Sequence, residues 1–239
     1  MLFAIVVAAG QGRRMGFKKQ FIDLAGSPMW LRSVEAMAAG GAEQVVIVVG
    51  EADYASFQQA LAASHLARQS TLVIGGDSRF ASVRSGMSHI YETLAHRDDP
   101  VRLDQVQIAV HDAARPFASP EDVRRTFTQA SQTGAAILGR YCRDTVKWVE
   151  QSFVRRTISR EHLFLAETPQ VVRGDYIERA YLANETGASA TDDSALLEAL
   201  DIPVTFVEAD HFNGKVTTPA DLEYARWLAN KMWGTVESG

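Results

Sequence analysis

Five short, β-branched apolar runs constrain this chain more than anything else in it: FAIVVAA at 3–9, QVVIVVG at 44–50, TLVIGG at 71–76, VQIAVHD at 106–112 and AAILG at 135–139. Several are apolar from end to end, as strands covered on both faces are. Between them lie segments of helix length with recognisable start signals. Ser27 and Pro28 precede one, Ser119 and Pro120 a second, Thr218 and Pro219 a third, which predicts N-caps at Ser27, Ser119 and Thr218. Glu121 and Asp122 face the dipole of the second helix. Strand alternating with helix predicts an α/β fold, a doubly wound and mostly parallel sheet. Ligands on such sheets sit beyond the carboxyl ends of the strands. At 239 residues and 46% apolar content, the chain is expected to form one domain over 1–239.

One stretch departs from the rhythm. RDTVKWVEQSFVRRTIS (143–159) reads as two strands, 144–149 and 153–158, joined at Glu150, Gln151 and Ser152. An edge meander would look the same. A hairpin arm that pairs with a second subunit or covers the site is favoured, because a lone hairpin is marginal in water without something to pack on.

The formal charge of −5 argues against a nucleic-acid partner, which calls for a broad basic surface. No run approaches the roughly 20 apolar residues of a membrane helix. MLFAIVVAAG lacks a basic leader and runs into glycines, so it reads as a buried strand and not as a signal peptide. Cys142 is the only cysteine, which excludes an intrachain disulfide and suits a cytoplasmic setting. It reads as a small buried hydrophobe more readily than as a catalytic thiol.

Against that acidic balance stands a knot of cations. Gly10 and Gly12 follow the first strand, with Arg13, Arg14, Lys18 and Lys19 behind them. Glycines there let backbone N–H groups approach an anion. The G-x-G spacing resembles a dinucleotide fingerprint, but Met15 stands where a third glycine belongs. A solvated charged loop is the plain alternative. A triphosphate explains more, since fixed cations stabilise the charge that grows when one phosphorus is attacked. Other strand ends agree. GGDSRFASV (75–83) adds two glycines, an acid and Ser82; HDAARPF (111–117) adds Asp112 and Arg115. Asp112 suits Mg²⁺ and Arg115 a phosphate, with a turn cap and a surface pair as the structural alternatives. His111 reads as a satisfied core histidine.

Together these stretches resemble the nucleotidyltransferases, specifically the 2-C-methyl-D-erythritol 4-phosphate cytidylyltransferase family of the non-mevalonate isoprenoid pathway. AAGQGRRM, KQF, GGDSRFASVRSG, VHDAARPF, RDTVKWV, ISREHLFLAETPQVV, TDDSALLE and NGKVTTPADL follow the family's order from residue 8 to 222. The resemblance implies a Rossmann-like nucleotidyltransferase fold, CTP, Mg²⁺ and a phosphorylated polyol whose phosphate oxygen attacks the α-phosphorus. It implies catalytic roles for Arg14, Lys19, Lys215 and Arg160, with Lys18 as the alternative to Lys19. Nucleotide-binding roles fall on Ala8, Ala9, Gly10, Gly12, Gly76, Asp77 and Ser82. Acceptor-side roles fall on Asp112, Arg115, Thr145, Arg160 and Thr168, with Asp112 also on the metal. The arm at 143–159 would form a homodimer in which Thr145 and Arg160 complete the partner's site. Gly214 stands where the family commonly carries isoleucine, and TDDSALLE is one residue short, which favours helix capping for Asp192 and Asp193.

Two other functions compete. A ribitol-5-phosphate cytidylyltransferase would share the fold, CTP and most motifs. A regulatory nucleotide sensor would share the fold, but cations gathered on the α-phosphorus serve a transition state more than ground-state binding.

Overall fold

The computed structural model describes residues 1–10, 19–183 and 190–234, Lys19 by its backbone alone. A seven-stranded sheet runs through the molecule. Its strands are β1 (Leu2–Val7), β2 (Gln44–Val49), β3 (Ser70–Ile74), β4 (Gln107–Asp112), β5 (Ala135–Tyr141), β8 (Phe164–Arg173) and β9 (Thr205–Glu208), in the order β3-β2-β1-β4-β8-β5-β9. β1 is parallel to β2 and β4, and β2 to β3. β8 lies antiparallel between β4 and β5, and β9 is parallel to β5. The sheet is therefore mostly parallel with one reversed strand near its centre.

Helices cover both faces. Apolar residues of β1 and β2 alternate between two cores. Ala4, Val6, Val45 and Ile47 pack with Trp30 and Met37 of α1 (Met29–Ala39) and Phe127 of α4 (Pro120–Thr133). Phe3, Ile5, Val46 and Val48 pack with Met87 and Ile90 of α3 (Arg79–Ala95), and with Ile177 of α5 (Gly174–Ala183) and Leu196 of α6 (Asp193–Glu198). This double burial is why the strand runs are apolar without interruption. α2 (Tyr54–Ala62) follows β2. α7 (Pro219–Trp233) closes a third, smaller core with Leu24, Met29 and Phe117.

The start signals resolve unevenly. Ser119 caps α4 by accepting from the Glu121 N–H, and Gly134 ends that helix at φ 90°. Thr218 caps α7 in a capping box with Asp221. Ser27 does not cap α1: Pro28 holds the N-cap position and the Ser27 hydroxyl is buried without a hydrogen-bond partner. Proline's fixed φ suffices to set the entry there.

The departing stretch forms its own two-stranded antiparallel sheet, β6 (Val146–Glu150) with β7 (Phe153–Ile158). The link is two residues, Gln151 at φ 47° and Ser152 at φ 70°. Left-handed conformation at both positions matches the right-handed twist of a tight hairpin.

Candidate active site

The site lies beyond the carboxyl ends of β1, β3, β4 and β5. Asp112 ends β4, directly across from Val7 at the end of β1. Lys215, 103 residues further on, donates its ammonium to Asp112 Oδ2 at 2.6 Å. Arg79 Nε is 3.6 Å from Oδ1 and Arg115 Nε 3.9 Å from Oδ2. Burial works against ionisation of Asp112, but Lys215 and then Arg79 override it and hold the carboxyl at about 2.

Neighbouring strands fix this group. The Asp112 N–H donates to Thr168 Oγ1 at 3.1 Å, and Thr168 Oγ1 lies 3.1 Å from His111 Nδ1. His111 Nε2 is 3.1 Å from the Arg115 carbonyl. A carbonyl only accepts, so Nε2 carries the imidazole proton and Nδ1 accepts from the Thr168 hydroxyl. Full burial drives His111 down to about 4, leaving it neutral. The core-histidine reading of His111 thus holds. Thr168, expected at the acceptor, commits its one proton to His111 and keeps only acceptor capacity for a ligand.

The loop that carries Lys215 is tied to the same turn. Val216 N–H donates to the Ala114 carbonyl at 2.9 Å, Arg115 Nη1 to the Asn213 carbonyl at 2.8 Å, and Asn213 Nδ2 to the Thr168 carbonyl at 2.8 Å. Gly214 has a local reason. A Cβ there would meet the Phe212 ring at 2.3 Å, so the aromatic ring occupies the space that a side chain would need.

A second group of predicted residues gathers at β1 and β3. Ala8 and Ala9 follow β1, and Ser82 on α3 donates to the Gly76 carbonyl at 3.3 Å. A Cβ on Gly75 would lie 2.7 Å from Ser82 Oγ and 3.1 Å from Ala9 Cβ; one on Gly76 would lie 2.6 Å from Ala81 Cβ. Glycines at 75 and 76 let α3 close onto β1. Ser78 caps α3 by accepting from Ala81 N–H; Gly76 and Asp77 stand exposed just before this helix start, whose remaining free N–H groups favour an anion, and Gly10 is exposed beyond the end of β1.

Arg79, which the sequence reading did not single out, opens that helix and bridges both groups. It grips Asp193 with Nη1 at 3.1 Å and Nη2 at 2.6 Å while facing Asp112. Asp193 is buried and also accepts from the Tyr181 hydroxyl. Capping therefore describes Asp192, which accepts from Ala195 N–H, and not Asp193, which anchors Arg79. Gln20 was missed as well. It donates to the carbonyls of Ala8 and Gly10 and pins the exit of β1.

Thr145 immediately precedes β6, and Arg160 follows β7 just past the arm. Both are exposed; Arg160 donates to the Arg143 carbonyl. Among the described residues neither is hydrogen-bonded to Asp112, Arg115, Thr168 or Lys215. Gly12, Arg13, Arg14 and Lys18 lie outside the described residues, as does the side chain of Lys19, which opens a single 3-10 turn (Lys19–Phe21). Cys142 is half-buried with its thiol toward the Asp144 carbonyl.

The profile of the family described as "2-C-methyl-D-erythritol 4-phosphate cytidylyltransferase" matches residues 2–231. A protein of that name from Pelotomaculum thermopropionicum is 38% identical over 229 residues, covering 93% of this chain and 91% of its own. One from Geobacillus kaustophilus is 36% identical over 234 residues, covering 96% and 97%. Among solved structures, the cytidylyltransferase of that name from Francisella tularensis superimposes with a TM-score of 0.74 at 28% identity, covering 95% of this chain and 98% of the other. A 4-diphosphocytidyl-2C-methyl-D-erythritol synthase superimposes with a TM-score of 0.78 at 25% identity, covering 95% and 97%.

Proposed function

This chain belongs to the 2-C-methyl-D-erythritol 4-phosphate cytidylyltransferase family, and from that premise we propose how its residues divide the reaction. It is a cytidylyltransferase of isoprenoid biosynthesis, joining the cytidylyl group of CTP to 2-C-methyl-D-erythritol 4-phosphate. An oxygen of the polyol phosphate attacks the α-phosphorus, the bond to the β-phosphate breaks, and pyrophosphate leaves with that electron pair. The observation that carries the division of labour is the gathering of Lys215, Arg79 and Arg115 on one ionised carboxylate, Asp112, at the end of β4.

These cations neutralise an acid. A triphosphate offers them a second anion, and Lys215, 40% exposed at its side chain, is free to turn toward the α-phosphate. Arg14 and Lys19 supply further donors from the glycine-rich loop. Such fixed cations lower the barrier by meeting charge as it grows on the equatorial oxygens. Ala8, Ala9, Gly10, Gly12, Gly76, Asp77 and Ser82 line the nucleotide, where small residues fit a pyrimidine. Arg115 takes the acceptor phosphate.

Mg²⁺ fits this site in one way. Among the described residues no group of three His, Cys, Asp or Glu is placed to cage a metal. A single ionised carboxylate beside substrate phosphates is, however, a common Mg²⁺ arrangement. Asp112 would hold the ion, which supplies charge neutralisation on the triphosphate.

The arm is read as a homodimer contact. Phe153 is 67% exposed, Val154 63%, Val149 55% and Trp148 49%, on a sheet of only two strands among the described residues. Apolar surface of this kind on so small a sheet points to a partner. A second copy would bring Thr145 and Arg160 to its neighbour's acceptor pocket. No helix among the described residues is long and apolar enough to cross a membrane, and the single cysteine supports a cytoplasmic location.

The test is pyrophosphate release with CTP and Mg²⁺, with methylerythritol 4-phosphate and ribitol 5-phosphate offered in parallel. Release with the first is expected. Release with ribitol 5-phosphate alone would keep the site and overturn the acceptor.

A further inference from the structure

Behind Arg115 lies a buried acid that the reaction described above does not use. Glu167 precedes Thr168 in β8 and is 3% exposed. Its Oε1 accepts from Arg140 Nη1, and its Oε2 lies 4.0 Å from Arg115 Nη1. Arg140 stands near the carboxyl end of β5. β5 and β4 both run antiparallel to β8, so β5 is parallel to β4 and Arg140 lies on the same edge of the sheet as Asp112. The result is a chain of alternating charge: Arg140, Glu167, Arg115, Asp112, then Lys215 and Arg79.

The Glu167 end of that chain is unfinished. Glu167 Oε2, Arg115 Nε and Asn213 Oδ1 are all buried without a hydrogen-bond partner. Burial pushes the Glu167 carboxyl up, against the pull of Arg115, Arg140 and the neighbouring Asn213 amide. A buried acid held this way is a poor device for stability alone, because its desolvation offsets most of its pairing energy. What it does is fix a guanidinium. The Asn213 carbonyl accepts from Arg115 Nη1, Glu167 Oε2 faces the same nitrogen across a 4.0 Å ion pair without a hydrogen bond, and among the described residues Arg115 Nη2 has no hydrogen-bond partner. A guanidinium held at Nη1, with Nε buried, presents Nη2 to a phosphate oxygen in a set orientation.

We propose that Glu167 is a positioning residue that orients Arg115 toward the phosphomonoester of the acceptor, with Arg140 as the cation that lets Glu167 stay buried beside it. Resting on the cytidylyltransferase reading, the inference adds a substrate-specific effect. Glu167 governs the acceptor and leaves the nucleotide alone.

The experiment is steady-state pyrophosphate release, with each substrate varied in turn, for the unaltered chain, Glu167→Gln, Glu167→Asp and Arg140→Gln. Glu167→Gln is expected to raise KM for methylerythritol 4-phosphate about tenfold, with KM for CTP and kcat within about twofold, since the ion pair that orients Arg115 is replaced by a neutral neighbour. Glu167→Asp, which keeps the charge, is expected to recover most of that loss. Arg140→Gln, on a half-exposed side chain, raises the acceptor KM in the same direction. An unchanged acceptor KM in both Glu167→Gln and Arg140→Gln overturns the proposal. So does an equal rise in both KM values, which would mark a structural role only. No release by the unaltered chain overturns the cytidylyltransferase reading itself, and this proposal with it.

Discussion

Lys215 Nζ and Asp112 Oδ2 lie 2.6 Å apart, across 103 residues of chain. The expected phosphate-binding cation and the expected metal-binding acid thus satisfy each other. Such a pairing holds a buried carboxyl ionised against its desolvation. Replacing Lys215 by alanine is expected to lower turnover about a hundredfold or more, since loss of one fixed donor to a developing oxyanion costs about 3–4 kcal/mol. Thermal unfolding checks that the fold persists. Near-normal turnover would remove Lys215 from the transition state.

His111 makes stability depend on pH. Its folded value, about 4, lies below the ordinary 6.5, so between these values the unfolded chain binds a proton that the folded chain refuses. Stability is therefore full above about 6.5, falls as pH drops and levels off below about 4. Urea unfolding should show the unaltered chain losing about 2 kcal/mol more than His111→Gln between pH 7 and pH 5. Equal losses in the two proteins would count against a neutral buried imidazole.

Gly75 is the point where α3 closes on β1. An alanine there would put its Cβ 2.7 Å from Ser82 Oγ and 2.9 Å from Val48 Cγ1. Overpacking of this kind costs about 1–3 kcal/mol. Gly75→Ala should lower the melting temperature and raise KM for CTP more than KM for the acceptor. An equal effect on both substrates would separate this packing from the nucleotide.

The arm predicts assembly. Val154→Glu places a charge on its most exposed apolar stretch and should turn dimers into monomers in sedimentation. If Thr145 and Arg160 complete the neighbouring subunit's site, an inactive Arg160→Ala chain mixed with an inactive Lys215→Ala chain should recover activity through mixed dimers. A mixture as inactive as its parts would confine each site to one chain.

Much of this architecture was readable from residue order. The apolar strands, the Ser119 and Thr218 caps and the hairpin all stand where local chemistry places them. β8 was not readable as a strand, though it lies near the middle of the sheet. Glu167, Thr168, Pro169 and Gln170 break its apolar pattern, and a proline cannot donate to the ladder. The structure accommodates this with a register shift between Ile137 and Gly139 of the neighbouring strand. Four-residue β9 was too short to stand out. At the site, strand-terminal Asp112 and Arg115 announced themselves. The pairs that hold the site did not, because Arg79 meets Asp193 across 114 residues and Arg140 meets Glu167 across 27. Only folding brings such partners together.

The most direct test follows phosphorus through the reaction. With CTP, Mg²⁺ and methylerythritol 4-phosphate, ³¹P NMR should show the phosphomonoester resonance replaced by two coupled diphosphate resonances, with pyrophosphate appearing in equal amount. Pyrophosphate appearing while the phosphomonoester persists, or no change at all, would contradict cytidylyl transfer to this acceptor.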